Sequence, residues 1–142
     1  MSLQAVLLPL FVEVILTFAL WVWMATLRTG DFSSGVVQAQ DIALREPKWP
    51  KRTMQVANSF ANQFELPVLF YVLTILAYIT HQAGLVFVIL AWVFVIFRVL
   101  HAYVHTTSNV VRLRGMLYGV ATAALLINWL IYIVDILTSP WV

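Results

Sequence analysis

Apolar residues gather into four stretches of the chain, about Leu3 to Leu27, Met54 to Ile79, Leu85 to Val104 and Met116 to Leu137. A bilayer core needs roughly 20 consecutive apolar residues per helix, so the pattern predicts four spanning helices in one domain covering residues 1–142. The fold class expected is an all-α, four-transmembrane-helix bundle. The connection from Arg28 to Arg52 is the only long one, with Gly30, Asp31, Ser33, Ser34 and Gly35 as turn formers and Pro47 and Pro50 closing it. A short interfacial helix is expected inside Val36 to Arg45. The second connection reads as a tight turn around His81, Gln82 and Gly84, and the third runs through Thr106, Thr107, Ser108 and Asn109. The first stretch lacks a basic n-region and a small-x-small cleavage site, so a retained helix is expected there rather than a signal peptide.

Composition supports a membrane class, since 63% of the 142 residues are hydrophobic, 10% are charged and mean hydropathy is +0.93. A soluble domain of this length needs far less apolar surface. The cations sit mainly in two places. Arg28, Arg45, Lys48, Lys51 and Arg52 belong to the first loop, and Arg112 and Arg114 to the third, while the second loop and both termini carry none. The positive-inside rule then makes the first and third loops cytoplasmic and both termini non-cytoplasmic. Trp21, Trp23, Trp49, Trp92, Trp129 and Trp141 include enough near-terminal positions for interfacial belts. No basic patch interleaves with aromatics, so no nucleic-acid partner is expected. With no cysteine in the sequence, disulfides, thiolate metal sites and a protein-borne thiol nucleophile are excluded. Any sulfur chemistry would come from a substrate or cofactor.

Two polar stripes break the apolar pattern. Strongly polar side chains inside hydrocarbon cost several kcal/mol unless they face a partner or a watered cavity, so each is a functional-site hypothesis by default. On the second span, Asn58, Asn62 and Glu65 fall within one narrow face at about 100° per residue. Asn both donates and accepts, and an ionised Glu only accepts, so this stripe suits an amide-bearing or zwitterionic ligand presenting an ammonium to Glu65. The alternative is interhelical glue. Pro67 follows and favours a kink.

On the third span, Arg98, His101 and His105 form a second stripe running toward the cytoplasmic end. Arg98 cannot lose its charge, and Glu65 is the intramembrane carboxylate expected to pair with it. His101, His105 and Glu65 could in principle hold a metal, but no helical general-base Glu of the zincin kind accompanies the histidines, and no metal is expected. On the fourth span, Arg114 and Tyr118 lie one turn apart near the depth of His105. A guanidinium beside a phenol suits the stabilisation of a thiolate, whereas an arginine at a helix end also simply snorkels to phosphates. Glu13 stands alone on the first span, near the non-cytoplasmic surface or on an oligomer axis.

Together, Asn62-x-x-Glu65-x-Pro67, Arg98-x-x-His101-x-x-x-His105 and Arg114-x-x-x-Tyr118, in this order on the second, third and fourth spans, resemble the MAPEG family of membrane-associated proteins in eicosanoid and glutathione metabolism. The resemblance covers nearly the whole chain and is that of a bacterial-type member, implying an inner-membrane location. It implies a homotrimer binding glutathione on the cytoplasmic side and a lipophilic small-molecule substrate arriving among membrane lipids. By the same resemblance Asn62 and Glu65 would hold the glutathione backbone and amino group, with Asn58 on the same stripe. His101 would support the site, Arg98 would partner its acidic side, and Arg114 would stabilise the thiolate beside Tyr118, with His105 as a proton donor or acceptor. Eicosanoid-metabolising members carry arginines on the second span where this chain has Asn58 and Ala61. The carboxylate clamp would then fall to Lys51 or Arg52. The implied activity is that of a glutathione-dependent transferase or peroxidase acting on lipophilic electrophiles. The rival, from a different class, is a non-catalytic membrane protein binding a lipid headgroup or small polar metabolite.

Overall fold

The computed structural model describes residues 1–43 and 48–139, and every element found there is helical. Arg45 and Pro47 of the first loop and Trp141 of the expected aromatic belts lie outside the described residues. Helix α1 spans Leu3–Ser33 and opens with Ser2, whose hydroxyl accepts the Ala5 N–H at 3.3 Å, satisfying one of the four N–H groups a helix start leaves without an intrahelical partner. Its 31 residues rise about 46 Å at 1.5 Å per residue. That exceeds a hydrocarbon core of about 30 Å, so the helix runs past Leu27 and ends at Ser33.

The second span is not continuous. Helix α2 (Lys51–Ala61) passes through a 3₁₀ turn, Asn62–Phe64, into helix α3 (Leu66–Ile79). Pro67 explains the break: it cannot donate to the Gln63 carbonyl, and its ring crowds that carbonyl in a regular helix. Pro67 therefore falls in the first turn of α3, where a missing N–H costs nothing. Helix α4 spans Leu85–Thr106 and helix α5 spans Val111–Thr138, so the fourth span starts five residues before the expected Met116. Hydropathy marked where the hydrocarbon begins; Arg112 and Arg114 continue the helix beyond it. Between α1 and α2, the interfacial element expected in Val36 to Arg45 is a short 3₁₀ turn at Ala39–Ile42.

Four helical segments, Leu3–Ser33, Lys51–Ile79, Leu85–Thr106 and Val111–Thr138, are long and apolar enough to cross a membrane. Their shared core joins Phe70, Leu73 and Ala77 of α3 to Ala91, Phe94 and Val95 of α4, with Ala121, Ala124 and Leu125 of α5 and Val6 of α1 closing around them. Lipid tails are as apolar as leucine, so close packing rather than water exclusion holds such helices together. Small residues at Ala77, Ala91, Ala121 and Ala124 let the backbones approach, and the Phe70 and Phe94 rings meet at 4.8 Å between centroids. Asn128 of α5, also buried, donates to the Phe87 carbonyl of α4 at 3.2 Å. Outward faces carry Phe11, Ile15, Phe18, Leu126 and Leu130, all exposed, as a lipid-facing surface requires.

At the loop-bearing end, α2 caps α4. Gln55 Nε2 donates to the carbonyls of His105 at 2.7 Å and Thr107 at 3.2 Å, and Arg52 donates to that of Thr106. These are carbonyls a helix end leaves unpaired, at the negative end of its dipole. Arg52 also stacks over Trp23 at 4.9 Å, Arg28 stacks over Trp49 at 5.2 Å, and Thr53 donates to Asp31, so α1, the long loop and α2 are stitched to the end of α4. Asn109 ends the connection in the left-handed region, φ 50°, and its N–H returns to the Val104 carbonyl at 2.8 Å, the conformation for which Asn is tolerated after a helix.

Phe94→Ala is expected to destabilise the bundle by about 3–5 kcal/mol, because it empties a filled site. Asn128→Ala should cost about 1 kcal/mol or less, the usual size of an interhelical hydrogen bond in lipid. Reversible unfolding in mixed detergent micelles ranks the two; a larger loss for Asn128→Ala would refute packing as the main source of stability.

Candidate functional site

The 3₁₀ turn at Asn62–Phe64 brings the second span to Arg98 of α4. Arg98 is 0% exposed, so its fixed charge needs both a counter-charge and acceptors. Its terminal nitrogens donate to Asn62 Oδ1 at 2.5 Å, the Asn62 carbonyl at 3.0 Å and Gln63 Oε1 at 3.1 Å. Its Nε faces Glu13 Oε1 at 3.6 Å, and Glu13 is also 0% exposed. The carboxylate paired with Arg98 is therefore Glu13 of α1, not Glu65. Glu13, alone on its span in the sequence, is buried against α4 and paired with Arg98. The reason Glu65 is displaced is steric and local: Asn62 stands between, accepting from Arg98 and donating through Nδ2 to Glu65 Oε2 at 3.1 Å.

Next to this network lies a cavity of about 260 Å³ lined by Asn62, His101, His105, Val111, Arg114, Gly115 and Tyr118. Three spans contribute to it. The His101 ring lies 5.5 Å from that of His105 and 5.6 Å from that of Tyr118, centroid to centroid, and Arg98 sits 5.8 Å above the Tyr118 ring from behind. Arg114 enters from the first turns of α5, oriented by a 2.7 Å hydrogen bond from its guanidinium to Asn109 Oδ1. Among the described residues, Nδ1 of both His101 and His105 is buried without a protein hydrogen-bond partner. Two imidazole rings, a phenol, an amide and a guanidinium thus line one hollow and bring both donor and acceptor groups to it.

The charges around this hollow divide unequally. Arg98 is matched by Glu13. Arg114 is held by a neutral amide, and Glu65 likewise by the neutral amide of Asn62. Among the described residues, neither Arg114 nor Glu65 has an opposite charge within ion-pair distance, the pairs found being Lys48–Asp41 and Arg98–Glu13. The site therefore presents one uncancelled positive and one uncancelled negative group, which is complementary to a zwitterion carrying an anionic end.

Of the residues read from the sequence, Asn62, His101, His105, Arg114 and Tyr118 are brought together around the cavity, and Arg98 supports it from behind. Glu65 is exposed at its edge, held by Asn62. Asn58 is exposed on α2 and does not line the cavity. Arg52 is not there either, because its guanidinium is committed to the end of α4 and to Trp23. Three residues that sequence reasoning gave no role do shape the site: Glu13, Gln63 and Asn109. Glu13 carried the available signal, an ionisable residue inside a span. Gln63 and Asn109 carried none beyond their proximity to Asn62 and Arg114.

Compared with protein families, residues 6–134 match the model of the MAPEG family. No curated protein and no solved structure gives a significant match.

Removing one member of a buried ion pair leaves an uncompensated charge, so Glu13→Leu is expected to lower stability by about 3–5 kcal/mol. Glu13→Leu with Arg98→Leu should lose less than the sum of the two single changes by about 1–3 kcal/mol. A double-mutant cycle in unfolding titrations measures this coupling, and strict additivity would mean that the two residues do not interact.

Proposed function

Because the chain belongs to the MAPEG family, we propose that it is an integral membrane glutathione-dependent transferase or peroxidase acting on lipophilic electrophiles. The family includes such enzymes as well as non-catalytic members. The observation that carries the reading is the cavity where Arg114, Tyr118, His105, His101 and Asn62 converge, with a positive group whose charge no carboxylate among the described residues cancels.

The donor set fits the thiol and amine ends of glutathione. Bound there, glutathione would supply a thiolate sulfur that bonds to an electrophilic carbon, with a leaving group departing or a proton taken up, or that, with a second glutathione, reduces a peroxide to alcohol and water while the two thiols are oxidised to a disulfide. Arg114 holds the negative charge at the sulfur position, an attraction strengthened in a water-poor pocket. Tyr118, one helical turn along α5, offers a hydroxyl to the same position. His105, whose imidazole lines the cavity, accepts or donates the proton that the reaction moves. Asn62 serves an amide, and Glu65 the ammonium. Among the described residues, the cavity of a single chain offers the two glutathione carboxylates no cation other than Arg114. Asn58 and Glu65 are exposed on a membrane-spanning face, where a bare carboxylate costs several kcal/mol. A homotrimer, with a neighbouring copy covering this face, relieves that cost and adds lining groups.

The positive-inside rule supports a site opening toward the cytoplasm with both termini on the other side, and the bacterial inner membrane is the location that the resemblance to bacterial-type members suggests. The commitment of Arg52 to α4 favours one rival, a member that binds a lipid headgroup or polar metabolite without chemistry.

An ultraviolet difference spectrum of the purified protein titrated with glutathione, in detergent and in nanodiscs, separates the two. A saturable thiolate band is expected, absent in Arg114→Ala, together with a fall in kcat/KM of about 100-fold or more, the size seen when one charge-stabilising donor is removed. Absence of the band from the wild type in both environments would sink the enzymatic reading.

A further inference from the structure

Glu13 does not line the cavity and has no part in the chemistry described, yet it is the one acidic residue buried on α1. We propose that Glu13 is a positioning residue for the site: by pairing with Arg98 it fixes Asn62 and keeps Glu65 free to receive the ammonium group of the ligand. The ligand's identity in this statement rests on the glutathione reading; the placement of Asn62 and Glu65 does not.

A guanidinium is a rigid planar fork, so holding one edge sets the direction of the others. Glu13 faces the Nε edge of Arg98 at 3.6 Å, a charge contact rather than a hydrogen bond, and the two terminal nitrogens donate to Asn62 and Gln63. Asn62 has one amide oxygen and one amide nitrogen. With Oδ1 taken by Arg98, Nδ2 is turned to Glu65. The same guanidinium serves the Asn62 carbonyl at the helix break, where regular helical bonding is interrupted between α2 and α3. The state of the break and the direction of the Asn62 side chain are thus set by one group.

Without Glu13 that group would carry an unmatched charge in hydrocarbon. Among the described residues, Glu65 is the remaining carboxylate whose field reaches Arg98, separated from it by a single amide. Arg98 would then draw Glu65 inward and displace Asn62, leaving the amine end of the ligand without its partner. Specificity for a ligand bearing an ammonium therefore depends on a residue on another helix that never touches it.

The test uses the full-length protein in nanodiscs, with Glu13→Gln, which keeps the side-chain shape and an acceptor oxygen, and Arg98→Lys, which keeps the charge balance but loses the fork. Hydrogen–deuterium exchange read without ligand should rise about tenfold in the peptide covering residues 58–66 in both variants, with α4 and α5 unchanged. Steady-state kinetics with glutathione and with its analogue lacking the γ-glutamyl amino group should show the wild-type preference for the amine shrinking at least fivefold in Glu13→Gln. That change should appear in KM, with kcat within about twofold, and Glu65→Gln should abolish any further effect of Glu13→Gln. Unchanged exchange at 58–66 in both variants, or a rise there no greater than that across the other helices, would overturn the proposal. So would a local rise that leaves the preference for the amine intact. A local rise in a protein whose wild type binds no glutathione supports the positioning of Asn62 and Glu65 and removes the glutathione reading instead.

Discussion

An arginine that cannot shed its proton, buried within a membrane-spanning helix, is the constraint around which this bundle is organised. Arg98 has no exposure, and in hydrocarbon such a charge must be both neutralised and hydrogen-bonded. No residue of α4 supplies what it needs. Glu13 comes from α1, and the acceptors come from the interrupted second span. One side chain thereby sets the relation of three helices, and does so through directional contacts that fix rotation as well as distance. Apolar packing alone would fix these far less, since Phe, Val and Leu surfaces tolerate sliding while a three-pronged fork does not.

The break in the second span follows from two causes that agree. Pro67 removes a backbone donor from the Gln63 carbonyl, and Arg98 supplies a donor to the adjacent Asn62 carbonyl. Irregular backbone at membrane depth is tolerated only where protein or a polar cavity satisfies it, and here both are present. Further along, the end of α4 is handled by the same logic: Gln55 and Arg52 of α2 take up its terminal carbonyls. Backbone polarity exposed by ending or breaking helices is thus answered by side chains of α2 and α4, and this mutual bracing brackets the cavity.

Much of this was legible in the sequence, and what was not has a physical cause. Span number and order followed from apolar length, and the stripes Arg98–His101–His105 and Arg114–Tyr118 followed from helical periodicity, because i, i+3, i+4 and i+7 positions share a face whatever the tertiary structure. Partner choice did not follow. Glu65 lay at the expected depth for Arg98, but depth says nothing about rotation, and the Pro67 break turns Glu65 aside while α1 presents Glu13. Hydropathy also drew the second span as one helix, since a 3₁₀ turn made of Asn62, Gln63 and Phe64 leaves the apolar pattern nearly intact. Arg52 shows a related ambiguity: a cation in a loop can serve a ligand or a helix end, and in this structure it contacts the carbonyl of Thr106.

The two arginines nearest the cavity show how similar residues are given opposite tasks. Arg98 is matched by a carboxylate, so its charge is consumed locally and what remains is geometry. Arg114 instead donates a 2.7 Å hydrogen bond to Asn109, a neutral amide on a left-handed turn. An amide orients a guanidinium without cancelling it, so the field of Arg114 is left for whatever enters the cavity. Replacing Asn109 by aspartate would keep the hydrogen bond and neutralise the charge. Anion binding depends on the second property and folding mainly on the first, so Asn109→Asp should leave stability within about 1 kcal/mol, the scale of a partly exposed ion pair, while weakening thiolate binding as strongly as the loss of Arg114. A variant that folded normally and still bound the thiolate with wild-type affinity would show that the charge of Arg114 is not what the cavity uses.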